Sequence, residues 1–252
     1  MDYKNLTIHK PHQSSRLDTQ QLDFSTSWDV DALKQIIIEE GLDSHIQRGK
    51  YVFRQGEVVD KIYLVQSGCV AFTRHCAEGN RQVLDILYPG SILSDLQENA
   101  QPTLFSAQSL LETRMYALSK ASLRRIARIT PEIYQAINSL MLGLLSQVYD
   151  NLWNIGCRHG VERVAFTLCK IFDGLNAGID VDSIRFDYHI PIRQVDIADA
   201  IAVTPVYLNQ ILKSLKEDGV IDINKGTIKI NNIKLLKDIC RYDEFVSVHR
   251  FI

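Results

Sequence analysis

The chain opens its ordered pattern with a helical spacing and then changes period. From Trp28 to Gly41, the positions of Val30, Leu33, Ile36, Ile37 and Leu42 predict a short amphipathic helix, with Gly41 as its stop. Between Ile46 and Leu118 the apolar residues fall instead into short runs, YVFRQ, KIYLVQSG, CVAFTRH, RQVLDILYPG and TRMYALS. These are rich in β-branched and aromatic side chains, which suit a pleated, half-buried surface. Gly49, Gly56, Gly68, Gly79 and Gly90 punctuate them roughly every eight to twelve residues, the rhythm of a small antiparallel barrel or roll.

Helical spacing returns at Ser119 with SKASLRRIAR. A longer helix is predicted after it, with Thr130 as N-cap, Pro131 in the first turn, Glu132 at the positive end of the dipole and a break at Gly156. Within it Ile137, Leu140, Met141, Leu144, Val148 and Ile155 recur every three or four residues, and Leu145 and Leu152 widen the stripe. A stripe of that width predicts one face against the roll and one against a partner helix; packing on its own domain alone is the other reading. VERVAFTLCKIFDGL, from Val161 to Leu175, is a further amphipathic helix, followed by a loop through Gly178 and by SIRFDYHIPI, which has strand character. Residues 1 to about 28 are polar and aperiodic, the pattern of a loosely ordered arm or a short appended helix.

The last third reads helix, turn, helix, hairpin. Val195, Ile197, Ala198, Ile201 and Val203 form one short apolar face, and Thr204 with Pro205 then restarts a helix. A connection that short forces the steep crossing of a helix-turn-helix, whose second helix enters the major groove of DNA. Leu208, Ile211, Leu212 and Leu215 supply its buried side. That leaves Val206, Tyr207, Asn209, Gln210 and Lys213 facing outward. Asn and Gln suit bidentate reading of adenine, Val206 a thymine methyl, and Lys213 and Thr204 phosphate. VIDINKGTIKI then predicts a β-hairpin turning at Asn224, Lys225 and Gly226, with Lys229 and Lys234 adding positive charge, in the manner of a wing.

Composition adds bounds rather than detail. With 252 residues, 46% apolar residues, 23% charged residues and a net charge of -2, two modest soluble domains are expected, and any DNA-binding surface must rest on local charge. No run of about 20 apolar residues suggests a membrane span, and the N-terminus lacks a signal-peptide pattern, so a cytoplasmic protein is expected. Cys69, Cys76, Cys157, Cys169 and Cys240 are scattered without a CxxC pair, which reads as free thiols rather than a metal site.

From about residue 35 to residue 230 the chain resembles the Crp/Fnr family of transcription regulators. KIYLVQSGCVAFTRHCAEGNRQVLDILYPGSIL is similar to the family's cyclic-nucleotide-binding-type roll, RHGVERVAFTLCKIF to its hinge and first DNA-domain helix, and IADAIAVTPVYLNQILKSLKEDGVI, the most specific stretch, to its helix-turn-helix. The resemblance places base-reading side chains at Val206, Asn209 and Gln210, and Thr204 near phosphate. Three departures stand out: Gln210 replaces an arginine that would read guanine, Ala202 replaces a turn glycine, and Arg193 replaces the Thr or Ser that caps the first helix. The family's cyclic AMP cassette falls on Ser94, Asp95, Phe105 and Ser106, where the phosphate-binding arginine is missing, so tight cyclic AMP binding is not expected. The arm holds no cysteine for an iron-sulfur cluster, and His75 and Cys76, adjacent on a strand, point to opposite faces, which disfavours haem. No cofactor is expected.

Together these readings predict an α+β chain: an N-terminal antiparallel, jelly-roll-like β-roll, a long dimerisation helix and a C-terminal winged helix-turn-helix. The expected divisions are an arm at 1–28, the sensor roll at 29–130, the dimerisation helix at 131–157 and the DNA-binding domain at 158–252. The expected partners are double-stranded DNA with a palindromic operator, a second copy of the chain, RNA polymerase and an unidentified small-molecule effector, with no membrane. The alternatives are a regulator that answers to cyclic nucleotides, a family member acting only through protein contacts, and a cupin-like enzyme. The last lacks the clustered histidines its metal would need.

Overall fold

The computed structural model describes residues 30–95, 101–176, 189–224 and 226–242. The arm at 1–28, most of SIRFDYHIPI and Lys225 lie outside them.

Helix α1 (Val30–Glu40) buries Leu33 and Ile37, one turn apart on its inner face. Leu42 does not extend that face: it starts strand β1 (Leu42–Ile46) and is 75% exposed. The strands β2 (Tyr51–Phe53), β3 (Lys61–Ser67), β4 (Val70–His75), β5 (Arg81–Leu87), β6 (Ile92–Ser94), β7 (Ser106–Ser109) and β8 (Thr113–Ser119) complete two four-stranded antiparallel sheets. Their orders are β1-β8-β3-β6 and β2-β7-β4-β5. Alternating inward side chains of both sheets, among them Phe53, Val65, Val70, Leu87, Leu93 and Met115, fill the space between them. All five glycines that punctuate the sequence pattern have positive φ. Gly68, between β3 and β4, is the tightest: a Cβ there would lie 2.3 Å from the Glu112 carbonyl oxygen.

Ser119 caps α2 (Lys120–Ile129), its hydroxyl accepting from the Ser122 N–H at 2.9 Å. Thr130 is the C-cap of α2 rather than the N-cap of the next helix, its N–H donating to the Ile126 carbonyl. The long helix starts later than its spacing predicts, because Pro131 and Glu132 form a separate turn before α3 (Ile133–Cys157) begins. Nor does Gly156 break α3, which runs through it to Cys157. The first turns of α3 bury Ile133 and Ala136 against α1 and the β1-β8-β3-β6 sheet. Beyond them Leu142, Leu145, Val148, Tyr149, Leu152 and Trp153 are exposed. This 25-residue helix carries one charged residue, Asp150. Even so, among the described residues no helix is long and apolar enough to cross a membrane.

Arg158 links α3 to α4 (Gly160–Leu175): its guanidinium lies over the Trp153 and Phe166 rings and donates to the Cys240 carbonyl. After α4 come β9 (His189–Ile190), α5 (Gln194–Ala200), α6 (Pro205–Glu217), β10 (Ile221–Asn224), β11 (Thr227–Ile230) and α7 (Ile233–Cys240). Of the strand-like SIRFDYHIPI, only His189 and Ile190 among the described residues form a strand, at the edge of a β10-β11-β9 sheet. The outer face of the β4–β5 sheet is covered by this C-terminal unit. Cys69, Ala71, Val83, Ile86 and Tyr88 of the roll share one continuous apolar core with Val164, Leu168, Ile192 and Ile197.

Candidate nucleic-acid interface

Helices α5 and α6 meet across Ile201 to Thr204. The reversal depends on Ala202, which sits at φ +56, a left-handed conformation that a side chain makes unfavourable by about 1 kcal/mol relative to glycine. The turn is closed by the Val203 N–H donating to the Ala198 carbonyl at 3.1 Å. Thr204 then caps α6, its Oγ1 accepting from the Tyr207 N–H at 3.2 Å, and Pro205 occupies the first turn, where no N–H is missed.

The two sides of α6 are cleanly separated. Leu208, Ile211, Leu212 and Leu215 are buried against the rest of the C-terminal unit. Thr204, Val206, Asn209, Gln210 and Lys213 are exposed along the opposite side. Lys213 makes only a loose pair with Glu217, at 3.7 Å. Tyr207 is shared between surface and packing: its ring turns back on the start of α4, so closely that a Cβ on Gly160 would lie 2.2 Å from its hydroxyl oxygen. The β10–β11 hairpin stands beside α6, with Ile221 opposite Ile230 and Asn224 opposite Thr227. Lys229 of β11 and Lys234 of α7 are exposed. The hairpin is tied to α6 by Lys216 and Asp222 at 2.8 Å, a contact that holds the Asp222 carboxyl below the usual range.

Arg193 precedes α5 and offers no side-chain cap; its guanidinium instead grips Asp196 within the first turn at 2.8 Å. Asp196 is 1% exposed and is shared with Arg81 of β5, whose Nη2 donates to it at 2.5 Å. Arg81 also donates through Nε and Nη2 to Asp199, at 2.8 and 2.6 Å, and through Nη1 to Gln108 at 3.2 Å. Burial alone would lower the Arg81 pKa, but the bonds to Asp196 and Asp199 outweigh it and raise it. Beside this cluster, burial and the Asp196 charge push the Cys69 thiol up to about 12. No local pattern signals the cluster, because Arg81 is 115 residues from Asp196 and 118 from Asp199.

The cassette positions in the roll are split. Ser94 and Asp95 line a crevice of about 160 Å³ between α1, α2, α3 and the β1-β8-β3-β6 sheet, with the Lys120 ammonium donating to the Asp95 carbonyl at 2.6 Å. Phe105 and Ser106 do not line it. Phe105 packs on Phe72 at 4.8 Å, and the Ser106 hydroxyl accepts from the Gln55 N–H. Among the described residues no group of three or more His, Cys, Asp or Glu is placed to hold a metal ion.

Residues 44–129 match the cyclic nucleotide-binding domain, and residues 162–239 match the Crp-like helix-turn-helix domain. The nitrogen fixation regulation protein FixK of Rhizobium meliloti is 25% identical over 193 residues, 76% of this chain and 84% of that protein. The cyclic AMP receptor protein of Thermus thermophilus is 25% identical over 195 residues, 76% of this chain and 85% of that protein. Among solved structures, FixK2 from Bradyrhizobium japonicum superposes with a TM-score of 0.66 at 19% identity, covering 79% of this chain and 96% of that one.

Proposed function

The chain belongs to the Crp/Fnr family of DNA-binding transcription regulators and is not an enzyme, and from that premise we propose that it acts in the cytoplasm as a homodimer reading a two-fold symmetric operator through α6. The observation that carries this reading is the division of α6, with every apolar position of its inner side buried and Val206, Asn209, Gln210 and Lys213 presented outward without a covering element. In the proposed assignment Val206, Asn209 and Gln210 read base edges, Thr204 and Lys213 hold phosphate, and Tyr207 contributes its exposed edge. The domains divide functionally as sensor roll (29–130), dimerisation helix (131–157) and DNA-binding domain (158–252), and RNA polymerase is the partner through which binding acts on transcription.

Base reading and phosphate anchoring separate by measurement. Gln210→Ala should lower discrimination at one base pair by about 1 to 3 kcal/mol, whereas Lys213→Ala should weaken all sequences alike and flatten the salt dependence. Fluorescence anisotropy on the operator and its single-mismatch forms across a salt series distinguishes the two. Wild-type behaviour in both variants would reject the assignment.

The roll is proposed to sense a small molecule other than cyclic AMP. What supports this is the aromatic packing at Phe105, which supplies no positive charge for a cyclic phosphate, together with the apolar crevice beside Ser94 and Asp95. Calorimetry of the full-length protein with cyclic AMP and with cyclic GMP should show no low-micromolar binding. Such binding, with a matching gain in operator affinity, would restore the cyclic-nucleotide reading.

A further inference from the structure

We propose that Arg81, on the sensor roll, is a positioning residue for DNA reading: by clasping Asp196 and Asp199 of α5 it holds the helix-turn-helix in the pose in which α6 can engage its half-site. The proposal rests on the dimeric reading above.

The geometry is that of a built joint. All three guanidinium nitrogens of Arg81 are engaged, by Asp196, Asp199 and Gln108. The adjacent Gln82 amide donates to the Asp199 carbonyl at 2.5 Å, and Arg48 donates to the Pro191 carbonyl at 3.3 Å. The side chains of Arg81, Asp196 and Asp199 are 17%, 1% and 22% exposed, so their attraction is sheltered from the screening that weakens surface pairs. Charge is balanced within the cluster, two carboxylates against Arg81 and Arg193. A lysine carries the charge but not the planar fork that spans both carboxylates.

The covalent link from α3 to the DNA-binding unit is short, around Arg158 and His159, and the unit also rests on the apolar core it shares with the roll. The clasp adds a polar attachment beside that core, joining β5 of the roll to α5. It leaves the outer side of α6 uncovered, so the docked pose is compatible with DNA. A dimer engaging two half-sites at fixed spacing gains affinity when both reading helices are already oriented, since the ordering cost is then met in the free protein.

The test uses the full-length protein with Arg81→Ala, Arg81→Lys, Asp199→Asn and the Arg81→Ala/Asp199→Asn double variant. Affinity is measured for duplexes with two half-sites and with one. Arg81→Ala should weaken two-half-site binding about 10-fold, with Arg81→Lys recovering only part of it. Single-half-site binding should be unchanged, and the double variant no worse than the weaker single one. Asp199→Asn leaves Asp196 paired, so it carries the test should Arg81→Ala fail to fold. Folded variants that bind the two-half-site duplex as wild type does, or more tightly, would overturn the proposal. A wild-type protein with no preference for two half-sites would remove the dimeric reading and this proposal together.

Discussion

Replacing Leu145 and Leu152 together by aspartate is expected to yield a folded monomer that binds the full operator about 100- to 10,000-fold more weakly. Leu145, Val148 and Leu152 are spaced three and four residues apart, the repeat of a helix-on-helix seam, and are 46%, 58% and 65% exposed. An apolar row of that kind on a helix with one charged residue is left in water unless a second helix covers it. Carboxylates on the row would be desolvated and would face one another across the two-fold axis, so the dimer loses burial and gains repulsion. The folded chain should survive, because the roll is held by the Ile133 end of α3, which the substitutions do not touch. The large loss on the full operator follows from avidity: each half-site contact survives, but the second is no longer intramolecular. Sedimentation velocity reads the oligomeric state and anisotropy the affinity. A double variant that remains dimeric at micromolar concentration would assign the dimer contact elsewhere.

The second large effect is on stability. Gly68→Ala should cost about 3 to 5 kcal/mol, whereas Gly79→Ala should cost about 1. Both glycines have nearly the same backbone angle, φ +83 and φ +84. They differ in what a methyl group would meet. At Gly79 nothing lies within 4 Å, but at Gly68 the new atom would sit 2.3 Å from the Glu112 carbonyl oxygen, 2.6 Å from Thr113 Oγ1 and 2.8 Å from Thr113 Cα. None of these can swing away. Thr113 is fully buried, its hydroxyl bonded to Ser109 at 2.7 Å and to the Leu111 carbonyl at 2.9 Å, and its strand is paired on both sides. Relief therefore requires moving β8 or opening the β3–β4 turn. Urea unfolding of the two variants side by side isolates the steric part, and equal losses would show that the Gly68 contact relaxes freely.

What was legible in the sequence is what local chemistry dictates. Turn glycines, the Thr204–Pro205 start of α6 and the inner stripe of Leu208, Ile211, Leu212 and Leu215 all follow from spacing and capping, whereas the turn at Ala202 is pointed to only by the resemblance, which places a glycine there. Errors cluster where one local signal fits two places. Thr130 can end a helix as well as begin one, and Gly156 is tolerated inside α3 because the apolar positions around it keep their period. Tyr207 looks like any outward-facing residue until Gly160, in another helix, provides a seat for its ring. The Arg81 cluster was invisible for a different reason. Nothing local ties Arg81 to Asp196 and Asp199, and only the fold brings β5 against α5.

That apposition bears on how such a protein can change over time. Tyr88 lies so close to α4 that a Cβ on Gly174 would fall 2.4 Å from its ring, and the apolar core runs unbroken from the roll into the DNA-binding unit. The two halves are therefore not interchangeable parts. A recombination event that grafted a foreign reading head onto this sensor would have to import, along with the head, partners for Tyr88, Val83 and Arg81, or leave an arginine and an apolar sheet face stranded at the junction. New operator specificity is reached more readily by substitution on the outer side of α6, where Val206, Asn209 and Gln210 are exposed and contribute nothing to that shared interior.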